Sequence, residues 1–220
     1  MLARQLEPEL MDDPQEALTY DEMDHSDVNR RFVDDLLATG PCGHDVLDLG
    51  TGTARIPIEL CQRVKDCRVL AGDGAASMLD VARYNISISG LDDRIQLHHG
   101  NAKALLFTDA MFDTVIANSL IHHLPDPELA IAEIVRVTRP EGRIFVRDLC
   151  RPESMESLEE IVQRIAANEC DAAQTMFRES LCAALTLAEM QALVAVYGFA
   201  AHDVAMTSDR HWTWSSQRPH

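Results

Sequence analysis

The sequence predicts an α/β fold built on a doubly wound, mostly parallel sheet, and three observations carry that prediction. Val46-Leu47-Asp48-Leu49 is an apolar strand that runs into Gly50-Thr51-Gly52-Thr53-Ala54, a run of small residues suited to a tight strand-to-helix turn. A second strand, 68–72, ends at another acidic residue, Asp73, 25 residues after Asp48. Further strands then alternate with helical stretches, and βα repeats imply parallel strands with helices on both faces.

Each element follows from local pattern. Residues 26–38 carry Val28, Phe32, Val33, Leu36 and Leu37 at helical spacing, an apolar stripe expected to pack on the sheet. Helices are expected near 54–65, 76–88 and 127–138, between strands at 94–98, 112–118 and 144–149. A charged amphipathic helix is expected over 153–168, another over 172–184 and a third over 187–197, the last closed by Gly198 as a left-handed cap. Segments 200–206 and 211–216 can pair antiparallel through Thr207-Ser208-Asp209-Arg210, which puts Trp212 and Trp214 on one face as core residues.

The turn after the first strand separates two kinds of nucleotide site. A dinucleotide fingerprint needs a third small residue at the position held here by Arg55, whereas the small residue stands one place earlier, at Ala54. The motif therefore reads D-x-G-x-G-x-A and resembles the first motif of class I S-adenosylmethionine-dependent methyltransferases, with Ala54 in place of the third glycine. Further segments resemble that family in order: Met78-Leu79-Asp80-Val81-Ala82 after the second strand, Gly100-Asn101-Ala102, Phe112-Asp113-Thr114-Val115, Ser119 to Asp126, and Arg139-Pro140-Glu141-Gly142-Arg143. The likeness covers roughly 44–150 and lies nearest the small-molecule, ubiquinone/menaquinone-biosynthesis group.

The resemblance implies a Rossmann-like, seven-stranded sheet in the order 3-2-1-4-5-7-6, with the ligand over the carboxyl ends of strands 1 and 4. It implies S-adenosylmethionine as cofactor and S-adenosylhomocysteine as product. The residues expected to hold it are Asp48, Gly50, Thr51, Gly52, Asp73, Gly74, Met78, Asn101, Ala102 and Asn118, with the amides at the N-terminus of the next helix facing the ligand, Asp73 on the ribose hydroxyls and Asn101-Ala102 on the adenine. Asp73 could also cap the helix that follows it. His122 and His123 are candidates for a general base if the acceptor must lose a proton, or else shape the loop. Tyr20, His25, Asp148 and Arg151 are candidates for contact with the acceptor; strand alternation allows only one of Arg147 and Asp148 to face it. Arg151 could instead pair with the acidic helix 153–160.

Composition narrows the partners. Nineteen Lys and Arg against 36 Asp and Glu give a net charge of −17, which argues against nucleic acid and anionic membrane surfaces. The acids Glu7, Glu9, Asp12, Asp13, Glu16, Asp21, Glu22, Asp24 and Asp27 read as a solvated arm. Six cysteines without a C-x-x-C pair fit reduced thiols in a cytoplasmic setting, and no metal site is expected from their spacing. No stretch is long enough to insert in a membrane.

A single domain over 1–220 is expected: an arm and helix (1–40), a cofactor-binding core (41–150), a helical cover (151–185), and a last helix with terminal hairpin (186–220). The expected function is methyl transfer to a small-molecule acceptor. The alternatives are a non-catalytic cofactor-binding regulatory subunit and a nicotinamide-dependent dehydrogenase. Neither the acceptor nor the oligomeric state is legible.

Overall fold

A computed structural model describes residues 2–7, 9, 12–23 and 25–219. Seven strands form one sheet: β1 (Asp45–Leu49), β2 (Arg68–Asp73), β3 (Ile95–His99), β4 (Phe112–Asn118), β5 (Thr138–Leu149), β6 (Val204–Met206) and β7 (His211–Gln217). They lie in the order β3-β2-β1-β4-β5-β7-β6, with β1 to β5 parallel and β7 antiparallel to both neighbours. The order reverses between β1 and β4, so the chains leaving these two strands diverge to opposite faces and open a crevice between them.

β5 starts six residues before the sequence pattern suggests. Thr138 pairs with Phe112, then the register jumps so that Arg143 pairs with Thr114, which marks a bulge that absorbs the Pro140-Glu141-Gly142 turn. Arg139 closes that bulge through ion pairs to Asp113 and, at 3.2 Å, Asp45.

Alternation along the strands sorts their side chains into two cores. Ile116 and Phe145 face α2 (Ser26–Ala38), α3 (Arg55–Arg63) and α4 (Ala76–Ile88), where Phe32, Leu36 and Leu60 are buried. Val115, Ala117 and Val146 face the other way, against α5 (Pro127–Val137) and α8 (Leu187–Ala195). Phe32 meets Phe145 edge to face at 5.0 Å, and the Arg147 guanidinium lies near both rings while pairing with Asp35 at 2.7 Å. Val28 departs from the expected stripe: it is half exposed, because the first turn of α2 overhangs the crevice instead of the sheet.

Trp212 and Trp214 are fully buried, as core residues should be. The Trp212 indole N–H donates to the Leu185 carbonyl at 3.2 Å, and Phe199 packs edge-on to Trp214 at 5.0 Å. Phe199 is delivered there by the end of α8. Gly198 takes φ +83°, its N–H donates to the Ala195 carbonyl, and the Phe199 N–H reaches back to Val194, the paired bonds of a left-handed helix stop.

Two helices, α6 (Met155–Ile165) and α7 (Asp171–Ala183), form a cover with its own small core of Leu158, Val162 and Leu181 against Leu149. The N-terminal arm is docked rather than solvated. Helix α1 (Pro14–Glu22), capped by Asp13, buries Ala17 against Ala75 and Met78, and Asp21 forms a two-pronged ion pair with Arg55. Asp12 accepts from the Ser77 N–H at 2.9 Å, supplying the open N-terminus of α4 with the cap that Ala75 has no side chain to provide.

His211, at the start of β7, gives a stability prediction. Burial first, then the neighbouring Arg210 charge, push its pKa down to about 4, so the folded protein leaves it neutral where the unfolded chain protonates it near 6.5. Above pH 6.5 both states are neutral and nothing is lost; as pH falls from 6.5 to 4 only the unfolded state gains the proton, and stability drops. Urea midpoints measured at pH 7 and pH 5 are expected to differ less in His211→Gln than in the parent.

Candidate active site

The turn after β1 is held from beneath. Gly50 and Gly52 take φ +69° and +55°, and the N–H groups of Gly50 and Thr51 both donate to the Gly72 carbonyl at 2.9 and 3.0 Å. The Gly52 N–H donates to Asp73 at 2.8 Å. These three amides are spent on the turn itself, and what the glycines supply is close approach of the backbone. Ala54 also sits in the left-handed region, at φ +62°, where its Cβ costs about 1–2 kcal/mol, which is a physical reason for glycine at the third position of the motif.

Asp48 lies under this turn, 2% exposed, with its carboxylate accepting the Thr51 hydroxyl at 2.7 Å. Burial, opposed by that hydroxyl and reinforced by the Asp73 charge, lifts its pKa to about 7. Asp48 braces the turn from beneath, and Thr51 turns its hydroxyl inward to it while bordering a recess continuous with the crevice at Gly50, Gly52 and Asn118.

The crevice encloses about 1050 Å³ over the carboxyl ends of β1, β2 and β4. Gly50, Gly52, Asp73, Gly74, Met78, Asn101, Ala102 and Asn118 all border it, as do Tyr20 and His25. Asp73 ties two turns together, with one oxygen accepting from Gly52 and the other from the Ala75 N–H at 2.9 Å. It is not the cap residue of α4, a position held by Ala75. Burial raises the Asp73 pKa while these amides pull it down. Asn101 accepts from the Lys103 N–H at 2.9 Å through its side-chain oxygen, which leaves its NH2 to donate elsewhere. Tyr20 comes within 4.0 Å of the space a Gly52 side chain would fill, and its ring stands 5.1 Å from His25.

At the other end, β4 leads through Ser119, at φ +56°, into a 3-10 turn over Ile121–His123. That turn is fixed by Asp148, which is fully buried. Its carboxylate accepts from the N–H groups of Ile121, His122 and Leu149 and from His122 Nδ1 at 2.5 Å. Asp148 therefore does not border the crevice; it orients the residue that does, and Arg147 points to the opposite face. Arg151 is also buried away from the crevice. It pairs with Glu189 of α8 at 2.6 Å and donates to the Ala184 carbonyl at 2.8 Å, so it neither meets an acceptor nor pairs with the 153–160 helix.

Glu7 completes this end, and sequence reasoning missed it. Its Oε1 stands 3.2 Å from His122 Nε2 and 3.0 Å from His123 Nδ1, while its other oxygen accepts the Ser180 hydroxyl at 3.0 Å. Arg4 fixes the segment that carries it, donating to the carbonyls of Ala183, His122 and Leu124. No local signal marks Glu7 among the other acids of the arm, because its partners lie 115 residues away. Although burial opposes the charged ring, Asp148 and then Glu7 hold His122 up at about 9. Burial likewise opposes the Glu7 charge, yet the two rings bring it down to about 2. With a carboxylate at each ring nitrogen, His122 has no free nitrogen to serve as a base while the arm is docked. Glu7, His122 and His123 also converge as possible metal ligands, which the cysteine spacing gave no reason to expect.

Asp148→Asn replaces a four-fold acceptor by a group that must turn an NH2 toward buried donors. Breaking a buried pair of this kind is expected to cost about 3–5 kcal/mol in denaturant titration. Arg147→Lys, on the opposite face, serves as the control.

Residues 47–146 match the methyltransferase domain family. A ubiquinone/menaquinone biosynthesis C-methyltransferase of Francisella tularensis subsp. novicida is 32% identical over 111 residues, covering 50% of this chain and 44% of the relative. The chain thus aligns with less than half the length of that curated relative. Among solved structures, a candidate S-adenosylmethionine-dependent methyltransferase of Methanococcus maripaludis superposes with a TM-score of 0.74 at 17% identity, covering 98% of both chains. The [4+2]-cyclase SpnF superposes at 0.62 and 15% identity, covering 100% of this chain and 99% of that one. The seven-stranded sheet, in the order β3-β2-β1-β4-β5-β7-β6, gives the chain the Rossmann-like fold of those structures. Among the described residues no helix is long and apolar enough to cross a membrane.

Proposed function

We propose that this chain is an S-adenosylmethionine-dependent methyltransferase acting on a small organic acceptor. The observation that carries the reading is the crevice itself, which is polar and glycine-floored at one end and apolar under the cover at the other. The polar end suits the cofactor. Gly50 and Gly52 leave room for its amino-acid portion, Asp73 has acceptor capacity remaining for the ribose hydroxyls, and Asn101 with Ala102 can read the adenine edge. When bound, the cofactor supplies a methyl group activated by a sulfonium.

The other end suits an acceptor with a hydrophobic body. Ile165, Ala173, Met176 and Phe177 of the cover border the crevice opposite the His122-His123 turn. Displacement at a methyl carbon needs the acceptor atom in line and water kept out, and the cover and docked arm provide walls for both. Tyr20 and His25 close the cofactor end, and His123 is the ring left at the acceptor end with partial exposure, 26% of its side chain. The charge of −17 supports a metabolite over a nucleic acid, and the free cysteines support a reducing, cytoplasmic setting. The C-methyltransferase relative supports a compact metabolite as acceptor without naming it.

Calorimetry on the purified chain is expected to show saturable binding of S-adenosylmethionine and S-adenosylhomocysteine and none of NAD. Asp73→Asn should weaken that binding by about 10- to 100-fold, since a charged acceptor is lost from two hydroxyls. Asp48→Asn should leave it within a few-fold. Equal affinity in parent and Asp73→Asn would remove the ribose assignment. Transfer of isotopically labelled methyl to a metabolite extract would identify the acceptor, and bound cofactor without any transfer would move the chain to a regulatory role.

A further inference from the structure

We propose that Glu7, His122 and His123 form a binding site for a divalent transition-metal ion at the acceptor end of the crevice. Among the described residues, these three are the set of possible ligands whose donor atoms all lie within 4.8 Å of one another. The two contacts of Glu7 Oε1, at 3.2 and 3.0 Å, match the spacing of ligands sharing one ion: donors about 2.1 Å from a common centre stand about 3.0–3.4 Å apart in octahedral or tetrahedral geometry. Hydrogen bonds can have these lengths too, but the alignment here is not that of one. Glu7 Oε1 and His123 Nδ1 are buried yet have no hydrogen-bond partner, so their lone pairs converge without a proton properly placed between them.

The supporting contacts fit the same reading. A metal-bound imidazole ordinarily gives its other N–H to a carboxylate, and His122 gives Nδ1–H to Asp148, itself locked by three backbone amides. The second Glu7 oxygen is held by Ser180. An ion that displaces the proton from His122 Nε2 leaves two neutral imidazoles and two carboxylates around the position, whose two negative charges a dication balances. Two imidazole nitrogens and one carboxylate oxygen favour zinc, iron, cobalt, nickel or manganese over calcium or magnesium. Both rings border the crevice, so the remaining coordination positions open onto the space where the acceptor is placed. The metal assignment stands apart from the methyltransferase reading. Its role rests on that reading: an acceptor bearing a hydroxyl, thiol or carboxylate would be held by the ion in line with the methyl group.

The test uses the full chain freed of metal by a chelator. Titration with zinc chloride is expected to give one saturable site. Cobalt chloride should give ligand-field absorption without a thiolate charge-transfer band, because the ligands are nitrogen and oxygen. Glu7→Gln and His123→Ala, which change an arm residue and a partly exposed ring, should each weaken binding more than about 10-fold while the far-ultraviolet circular dichroism is unchanged. Absence of saturable binding, or equal affinity in the parent and both variants, would overturn the site. So would a thiolate-to-cobalt band, which would place the ion on cysteine sulfur instead. S-adenosylhomocysteine binding is measured in the same preparations, so that loss of the metal site with cofactor binding intact refutes this inference alone.

Discussion

A carboxylate with no water around it must collect donors or give up its charge, and Asp148 at the end of β5 collects four of them. Three are backbone N–H groups on two separate segments, so the strand end and the 3-10 turn after β4 cannot shift independently. The fourth is His122, whose ring plane is set by that bond and whose other nitrogen is thereby aimed at Glu7. Arg151 extends the constraint on the far side. Its pair with Glu189 reaches the residue that forms the capping box of α8 with Thr186, tying the end of β5 to the helix that supports the terminal hairpin. The orientation of the acceptor end is thus a consequence of burying one charge where β5 stops.

The two ends of the crevice differ in how they are built. At the cofactor end the chain uses backbone: positive φ at Gly50, Gly52 and Ala54, amides tied to Gly72 and Asp73, and a buried Asp48 underneath. At the acceptor end it uses side chains drawn from distant segments, with Glu7 from the arm, the histidines from the β4 turn and Ser180 from the cover. A backbone-built site needs particular residue types at fixed local spacing. A side-chain-built site needs only that the fold bring suitable groups together.

That difference explains what was legible in the sequence. The βα alternation, the buried tryptophans and the Gly198 stop follow from periodicity and local pattern, while the strand order came from the resemblance that the motif after β1 carries. The motif spacing did not reveal that Asp48 supports the turn from beneath through the Thr51 hydroxyl. Arg151 was misplaced because its partner, Glu189, lies 38 residues on and outside the nearby acidic helix. Val28 shares a helical stripe with Phe32 and Leu36, yet periodicity does not reveal where the sheet beneath a helix ends. Glu7 was hidden by its surroundings, since an acid among acids looks solvated until its partners are known.

The arm is where composition misleads most. Asp12 caps α4, Asp13 caps α1, Asp21 pairs with Arg55, Glu9 pairs with Lys103 at 2.6 Å and Glu7 sits between two histidines, so its acids are largely consumed by specific contacts. One segment thereby touches both ends of the crevice: α1 lays Tyr20 near Gly52, and the stretch before it lays Glu7 against the acceptor end. These contacts are mainly ionic or cap a helix terminus, and little apolar area beyond Ala17 anchors α1. Exposed ionic contacts are individually weak, whereas the Glu7 contact is buried and costly to break without a replacement partner. The docked arm is therefore held most firmly at its Glu7 end, where one carboxylate joins the arm to the β4 turn and, through Ser180, to the cover.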